Sequence, residues 1–578
     1  ADAALPLFKG ALLDSMYLGL CPGNVGLTTF FDAYRRETQR DFGDAVGSLS
    51  RALVQGLFGI EPDALAGELK LRPGFPQTWN RASIQHPDLT FRFDRNGLKE
   101  TWFVEQRFEK PLQLRLQISA LRDHIANISA NGQTVKWRVL EDSIGVPRIE
   151  IEAPAARRQT IKIEWTGAAP RSADIPKIVA LGSKFSANAG AKILEIHDPQ
   201  NVLREPQISQ NSISGIAQGT LGQRTLFAKV EQGSLRWWQA LDFELRPAWE
   251  IIPTSQDATH SQFHLRNNTA ESWNGNVSIQ VNSGAAKLLS VNVPEFQESP
   301  ELSLPANELV PGANVVRVDF PNGQSASNWI VNWNIPAAGS RFETIDLSGA
   351  FNDQVTRIFE NEYLAPRSPF CSLATPKQGI GSWCHPADNF KVDDRGLRSV
   401  AAAHEGRFTL PQGIPFQTPT EVDAKNILFT SQWNNFPTHA SVPLSGKSSH
   451  AYLLMAGSTS AMQSRFDNGE VIVTYADNST AQLALENPIN WWPIDQDYFI
   501  DDFAFSRPEP IPPRVELKTG KVRVLDVSTF KAKGRTVPGG AATVLDLPLD
   551  SKKELKSVTV HTSANEVVIG VMAITLAR

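Results

Sequence analysis

The chain has 578 residues, which at about 150 residues per domain corresponds to about four domains. Hydrophobic residues make up 41% and charged residues 20%, which excludes a disordered or collagen-like chain, and no run of about 18 apolar residues is present to span a membrane. The net charge of -5 comes without a Lys/Arg block and gives no footprint for nucleic acid, while 14 Trp, 30 Phe, 39 Gly and 38 Pro suit many short strands whose loops carry Trp rings to sugar faces.

The opening Ala-Asp-Ala-Ala-Leu-Pro has no charged region followed by an apolar one, so a signal peptide is absent or already removed. From Gly10 to Ile60 the pattern is helical. One helix runs from Leu12 towards Leu20 and stops at Cys21-Pro22-Gly23-Asn24; in the next, Val46, Leu49, Leu53, Val54, Leu57 and Phe58 recur at helical spacing until Gly59 and Pro62. Beyond Leu69 the period changes to two. Leu112 to Ile118, Ile149 to Ile151, Ile161 to Trp165, Val277 to Val281, Val315 to Phe320 and Val471 to Tyr475 alternate or run apolar between Gly, Asn, Asp and Pro. Strands at this spacing predict a mainly β chain of several β-sandwich or jelly-roll domains after a short α-helical hairpin. Boundaries fall where Pro, Ala and Gly cluster, giving segments 1–66 (helical hairpin), 67–170 (β-sandwich), 171–250 (small β domain), 251–338 (β-sandwich) and 339–578 (jelly roll).

The run from Arg40 to Asp88 contains GLFGIEPDA and LRPGFPQTWNRASI, and it resembles the junction of six-hairpin glycosidases, where the last hairpin of an (α/α)6 barrel passes into a β-sandwich. Leu12 to Asp41 resembles the preceding helix and the loop at the barrel mouth. Farther on, IDLSGAFN (Ile345 to Asn352), QGIGSWCHP (Gln378 to Pro386), PQGIPFQTP (Pro411 to Pro419) and VPLSGKSSHAYLLMAGST (Val442 to Thr459) resemble the galactose-binding-type jelly roll of bacterial polysaccharide-degrading enzymes. The whole order is similar to large glycosidase-like proteins of such bacteria. The resemblance implies a periplasmic or secreted glycoside hydrolase acting on a plant or algal polysaccharide or oligosaccharide, without an organic cofactor. A full (α/α)6 barrel needs about 300 residues, so the resemblance implies that a second chain or a missing segment carries the rest. The alternatives are a polysaccharide lyase of toroid-plus-sandwich type and a non-catalytic carbohydrate-binding or scaffold protein.

Glycoside hydrolysis needs two carboxyl groups, about 5 to 5.5 Å apart for retention and about 6.5 to 9.5 Å for inversion. Glu37, Asp41 and Asp44, near Asp32, are the catalytic candidates, with the partner carboxylate expected outside this chain. Capping competes with this role, since Asp41 suits an N-cap and Asp44 the first helical turn. Tyr17 and Arg40 are candidates for substrate contact, against ordinary packing or an ion pair.

Flat Trp faces match the C–H surface of a pyranose ring, which makes Trp383, Trp433, Trp491 and Trp492 candidates; the Trp237-Trp238 pair reads better as strand core plus edge. Trp383 stands in the Gly- and Pro-rich segment Gly379 to Pro386 with His385, and Asp393-Asp394-Arg395 follows as a sugar contact, a calcium ligand or a solvated turn. Asp495, Asp497, Asp501 and Asp502 form a second acidic group read as a solvated loop or a calcium or sugar contact. His385, His439 and His450 lack HExxH spacing, and no G-x-S-x-G elbow occurs. Of the three cysteines, Cys371 and Cys384 either close one loop or, like Cys21, stay free thiols.

Overall fold

The computed structural model describes residues 51–337, 341–359, 390–432, 436–459, 465–497, 510–523, 535–564 and 567–578, together with residues 6, 9 and 463. Most of the predicted helical hairpin therefore lies outside the described residues. Its described end is a short π-helical turn, Ala52–Leu57. The chain is mainly β and divides into two compact units, 1–248 and 249–578.

In the first unit, alternation builds the layers. Leu114, Leu116 and Ile118 point inward from the strand Gln113–Ser119, while Gln113, Arg115 and Gln117 stay half-buried on its outer face. That strand is central in a five-stranded sheet with order Ile60–Asp63, Glu68–Leu71, Gln113–Ser119, Arg148–Ala153, Lys136–Leu140. The facing six-stranded sheet contributes Phe91, Phe93, Trp102, Val104, Ile161 and Ile163 to the shared core. Sheet pairing begins at Ile60, earlier than the alternation from Leu69 predicts, because Ile60–Asp63 folds back antiparallel on Glu68–Leu71. Pro62 is tolerated there since the strand lies at the sheet edge. Gly59 makes the change of direction: its φ is +64°, and a Cβ at this position would fall 2.0 Å from the Arg72 carbonyl oxygen. A four-stranded and a three-stranded sheet between Ile178 and Arg246 complete the unit, and Phe185, Leu226, Trp237 and Phe243 continue the same core.

The second unit begins with a three-stranded and a four-stranded sheet between Trp249 and Asn332. Beyond them, a seven-stranded sheet is built around the strands His450–Ser458, Ala541–Pro548 and Val568–Ala577, and a four-stranded sheet packs on one of its faces. Ala451, Leu453 and Met455 enter the core shared with Val471, Val558 and Val560. Tyr452, Leu454 and Ala456 enter a second core formed with Leu397, Phe408, Phe416 and Trp333. A strand covered on both faces has no polar side, so Ala451 to Gly457 is a nearly continuous apolar run. The sheets are joined by a polar seam: the Ala313 amide donates to Asp546 Oδ2 (2.7 Å), His450 Nε2 donates to the Ala313 carbonyl (2.7 Å) and the Tyr452 hydroxyl donates to the Pro311 carbonyl (2.9 Å).

Candidate functional site

Several predicted site residues lie outside the described residues: Tyr17, Glu37, Arg40, Asp41, Asp44, Trp383, His385 and Trp433, as do Asp32, the three cysteines, Asp501 and Asp502. The described candidates have structural roles. Trp491 and Trp492 are 0% and 1% exposed, with Trp491 in the sandwich core, so neither ring offers a face to a sugar; the pair is core packing. Asp393 is engaged by Arg395, whose Nε and Nη2 lie 2.9 and 2.7 Å from its two oxygens, and this bonding holds its carboxyl below the ordinary range. It stands just before the helix Arg395–Ala402 instead of in a solvated turn. Asp394 is buried and accepts from Arg398 Nε and Asn426 Nδ2, each at 2.8 Å. Arginines thus already occupy the two carboxylates read as calcium ligands, and among the described residues no three His, Cys, Asp or Glu side chains group to hold a metal.

The described half of the second acidic group is also internal. Asp497 binds Arg514 Nη1 at 2.7 Å and Arg523 Nη2 at 2.8 Å, and Arg514 donates as well to the carbonyls of Pro493, Gln496 and Ala541. Burial pushes the Asp495 carboxyl up to about 7. A solvated loop is therefore not what these two residues form. Arg514 was the missing partner, and its distance along the chain from Asp497 left no local signal. Of the histidines, His439 is exposed on a strand, and His450 is buried in the seam, where loss of solvent lowers its pKa.

Among the clefts that the described residues form, one unites polar side chains that no motif announced. It encloses about 600 Å³ on the outer face of the five-stranded sheet, between Lys70, Arg72, Gln117, Arg138 and residues 139–143, the end of the strand Lys136–Leu140 and the chain that follows it. Strand register sets it up: Glu150 lies opposite Gln117 on one side and Arg138 on the other, so these polar side chains share the outer face. Glu150 is buried, which would push its carboxyl up, but the Gln117 amide (2.7 Å) and the Arg138 guanidinium (2.7 Å) outweigh this and hold it below the ordinary range. Lys70 pairs with Glu61 at 2.9 Å. On the rim, Glu141 receives Lys229 Nζ at 3.0 Å and Arg236 Nη1 at 3.5 Å. Cations, carboxylates and an amide converging on a cleft of this volume can orient a polar, hydroxyl-rich ligand. The signal in sequence was the polar outer series on alternating positions, which is indistinguishable from an ordinary solvated face until the register is known.

No family model and no curated relative matches the chain. Solved structures similar to parts of it include a GH2 β-galacturonidase from Eisenbergiella tayi, at 12% identity over 46% of this chain and 42% of that one, with a TM-score of 0.12. A gamma-CGTase from Alkalophilic bacillus clarkii is 11% identical over 44% of this chain and 39% of that one (TM-score 0.14). The SGBP-B protein of a Bacteroides ovatus mixed-linkage glucan utilization locus is 10% identical over 77% of this chain and 93% of that one (TM-score 0.17). The chain thus spans less than half the length of the first two. At these TM-scores the likenesses carry no argument about fold or function.

Proposed function

We propose that this chain is the carbohydrate-handling β portion of a glycoside hydrolase acting on a plant or algal polysaccharide or oligosaccharide, its catalytic centre completed by a helical barrel outside these residues. The observation that carries the reading is the helix-to-sandwich junction. Phe58, directly after the π-helical turn, packs on Phe75 (5.2 Å between ring centres) and Phe91 (6.3 Å), and Trp79 stacks on Phe75. The Gly74 amide donates to the Leu57 carbonyl, and the Arg72 amide to that of Gly59. A helix end clamped to a sandwich in this way is what a docked barrel requires, and Gly59, Gly74, Phe75 and Trp79 belong to the segment that resembles six-hairpin glycosidases. In this reading Glu37, Asp41 or Asp44 supplies one carboxylate at the barrel mouth, Tyr17, Arg40, Trp383, His385 and Trp433 contact substrate, and the protein works in the periplasm or outside the cell.

The cleft favours a second reading, a non-catalytic carbohydrate-binding or scaffold protein, because its Glu141, and Glu150 beneath its Gln117 and Arg138, are already engaged by cations. One assay separates the two. The full chain is incubated with a polysaccharide panel while reducing ends, ultraviolet absorbance of unsaturated products and glycan binding are followed together. Release of reducing ends without absorbance supports the hydrolase, absorbance indicates a lyase, and binding with neither, persisting after a barrel-bearing partner is added, replaces the enzyme reading by the binding one.

A further inference from the structure

The cleft contains an imbalance of charge. Lys70 and Arg138 have carboxylate partners, as does Arg115, 2.7 Å from Glu68. Among the described residues, neither Arg72 nor Arg148 has a carboxylate within ion-pair distance. Arg148 is half-buried, pairs in register with Leu140 in the cleft wall and reaches the Gln117 carbonyl oxygen only at 3.5 Å. Burial, and then the charge of Arg72, pull its guanidinium below its ordinary value. Register brings Arg72 beside Gln117 as well, since Leu71 pairs with Leu116, so two guanidinium groups without carboxylate partners flank Gln117 at the cleft, and their planar forks match a carboxylate. The rest of the lining argues against a polyanion. Asp142 stands exposed at the same cleft, where it repels dense negative charge but accepts hydrogen bonds from hydroxyls. A ligand with a single carboxylate among several hydroxyls satisfies both parts of the lining.

We propose that this cleft is a subsite for a uronic acid residue of a glycan, with its carboxylate between Arg72 and Arg148 and its hydroxyls towards Asp142 and Gln117. The proposal rests on the carbohydrate reading above and narrows its substrate class to acidic glycans.

The test is calorimetric titration of the full chain with short oligomers of galacturonate, mannuronate and glucuronate, with the same oligomers methyl-esterified at their carboxyls, and with a sulfated galactan oligomer. At least one uronate oligomer is expected to bind about tenfold or more tighter than its ester, as loss of charge-assisted bonds predicts. Arg72→Ala and Arg148→Gln should each remove about that factor for the acid and leave the ester unaffected, with Arg148→Lys restoring part of it. Arg72 is exposed, so its replacement keeps the fold, and the melting temperature of each variant verifies this. Equal binding of acid and ester, or unchanged uronate affinity in Arg72→Ala, overturns the subsite and leaves the carbohydrate reading standing. Equal binding of the sulfated oligomer overturns the carboxylate assignment. Binding of none of these oligomers overturns the subsite, and the polysaccharide panel above then decides the carbohydrate reading separately.

Discussion

Asp546 and His450 meet at the backbone of one residue, Ala313, in the seam of the second unit. Burial pushes the Asp546 carboxyl up to about 7 and lowers the His450 pKa, so both side chains favour their neutral forms. Gly312 lets them approach: its φ is +91°, and a Cβ there would fall 2.6 Å from the Asp546 carboxyl group. The two residues act on stability in opposite directions. A carboxyl raised in the folded state contributes stability that is complete below its unfolded value of 3.8 and is lost as pH rises through about 7. An imidazole lowered in the folded state contributes stability present above its unfolded value of 6.5 and lost as pH falls. Asp546→Asn keeps an acceptor for the Ala313 amide and removes only the ionisation. The parent should therefore lose melting temperature relative to this variant between about pH 4 and about pH 7, and parallel profiles of the two proteins would show that Asp546 is not buried as described.

Among the elements, the helix Arg395–Ala402 shows how a charged pair organises a core. Arg398, only 3% exposed, spans from Asp394 to the carbonyls of Pro419, Glu421 and Ala424, and Asn426 continues the network to the Val355 amide. Removing the cation leaves a buried carboxylate with one remaining amide partner. Arg398→Ala should cost about 3 to 5 kcal/mol in denaturant unfolding, and a loss under about 0.5 kcal/mol would place Arg398 with ordinary surface residues. This element was not legible in sequence, because Asp393-Asp394-Arg395 gives the same local pattern as a polar turn and its partners are more than twenty residues away. Strands buried on one face were legible: Ile161 to Trp165 falls within the strand Arg158–Thr166, and Leu112 to Ile118 starts one residue before the strand Gln113–Ser119. Trp491 and Trp492 misled for a related reason. A ring beside Asp495 and Asp497 looks like a binding surface, but both acids and both rings are buried, and Asp497 binds Arg514 inside the protein.

At the scale of the whole molecule, each unit has its own cores, and the two observations on which the proposals rest, the helix-to-sandwich junction and the cleft, lie in the first. The aromatic cluster at residues 58–102 fixes the helix end, and the outer face of the neighbouring sheet carries the cleft. Composition pointed towards sugar through tryptophan, yet the described Trp491 and Trp492 are internal, and the cleft is lined by arginine, lysine, amide and carboxylate instead. That arrangement was not readable from the chain, because Arg72, Gln117 and Arg138 converge only when four strands, Glu68–Leu71, Gln113–Ser119, Arg148–Ala153 and Lys136–Leu140, pair in register. No helix among the described residues is long and apolar enough to cross a membrane. The claim on which the account depends is that this chain binds carbohydrate. Affinity electrophoresis of the full chain through gels containing neutral and uronate-rich polysaccharides tests it most directly. Retardation by at least one polysaccharide, strongest in the uronate gels and relieved by Arg72→Ala, is the predicted result; unaltered mobility in every gel would contradict the account.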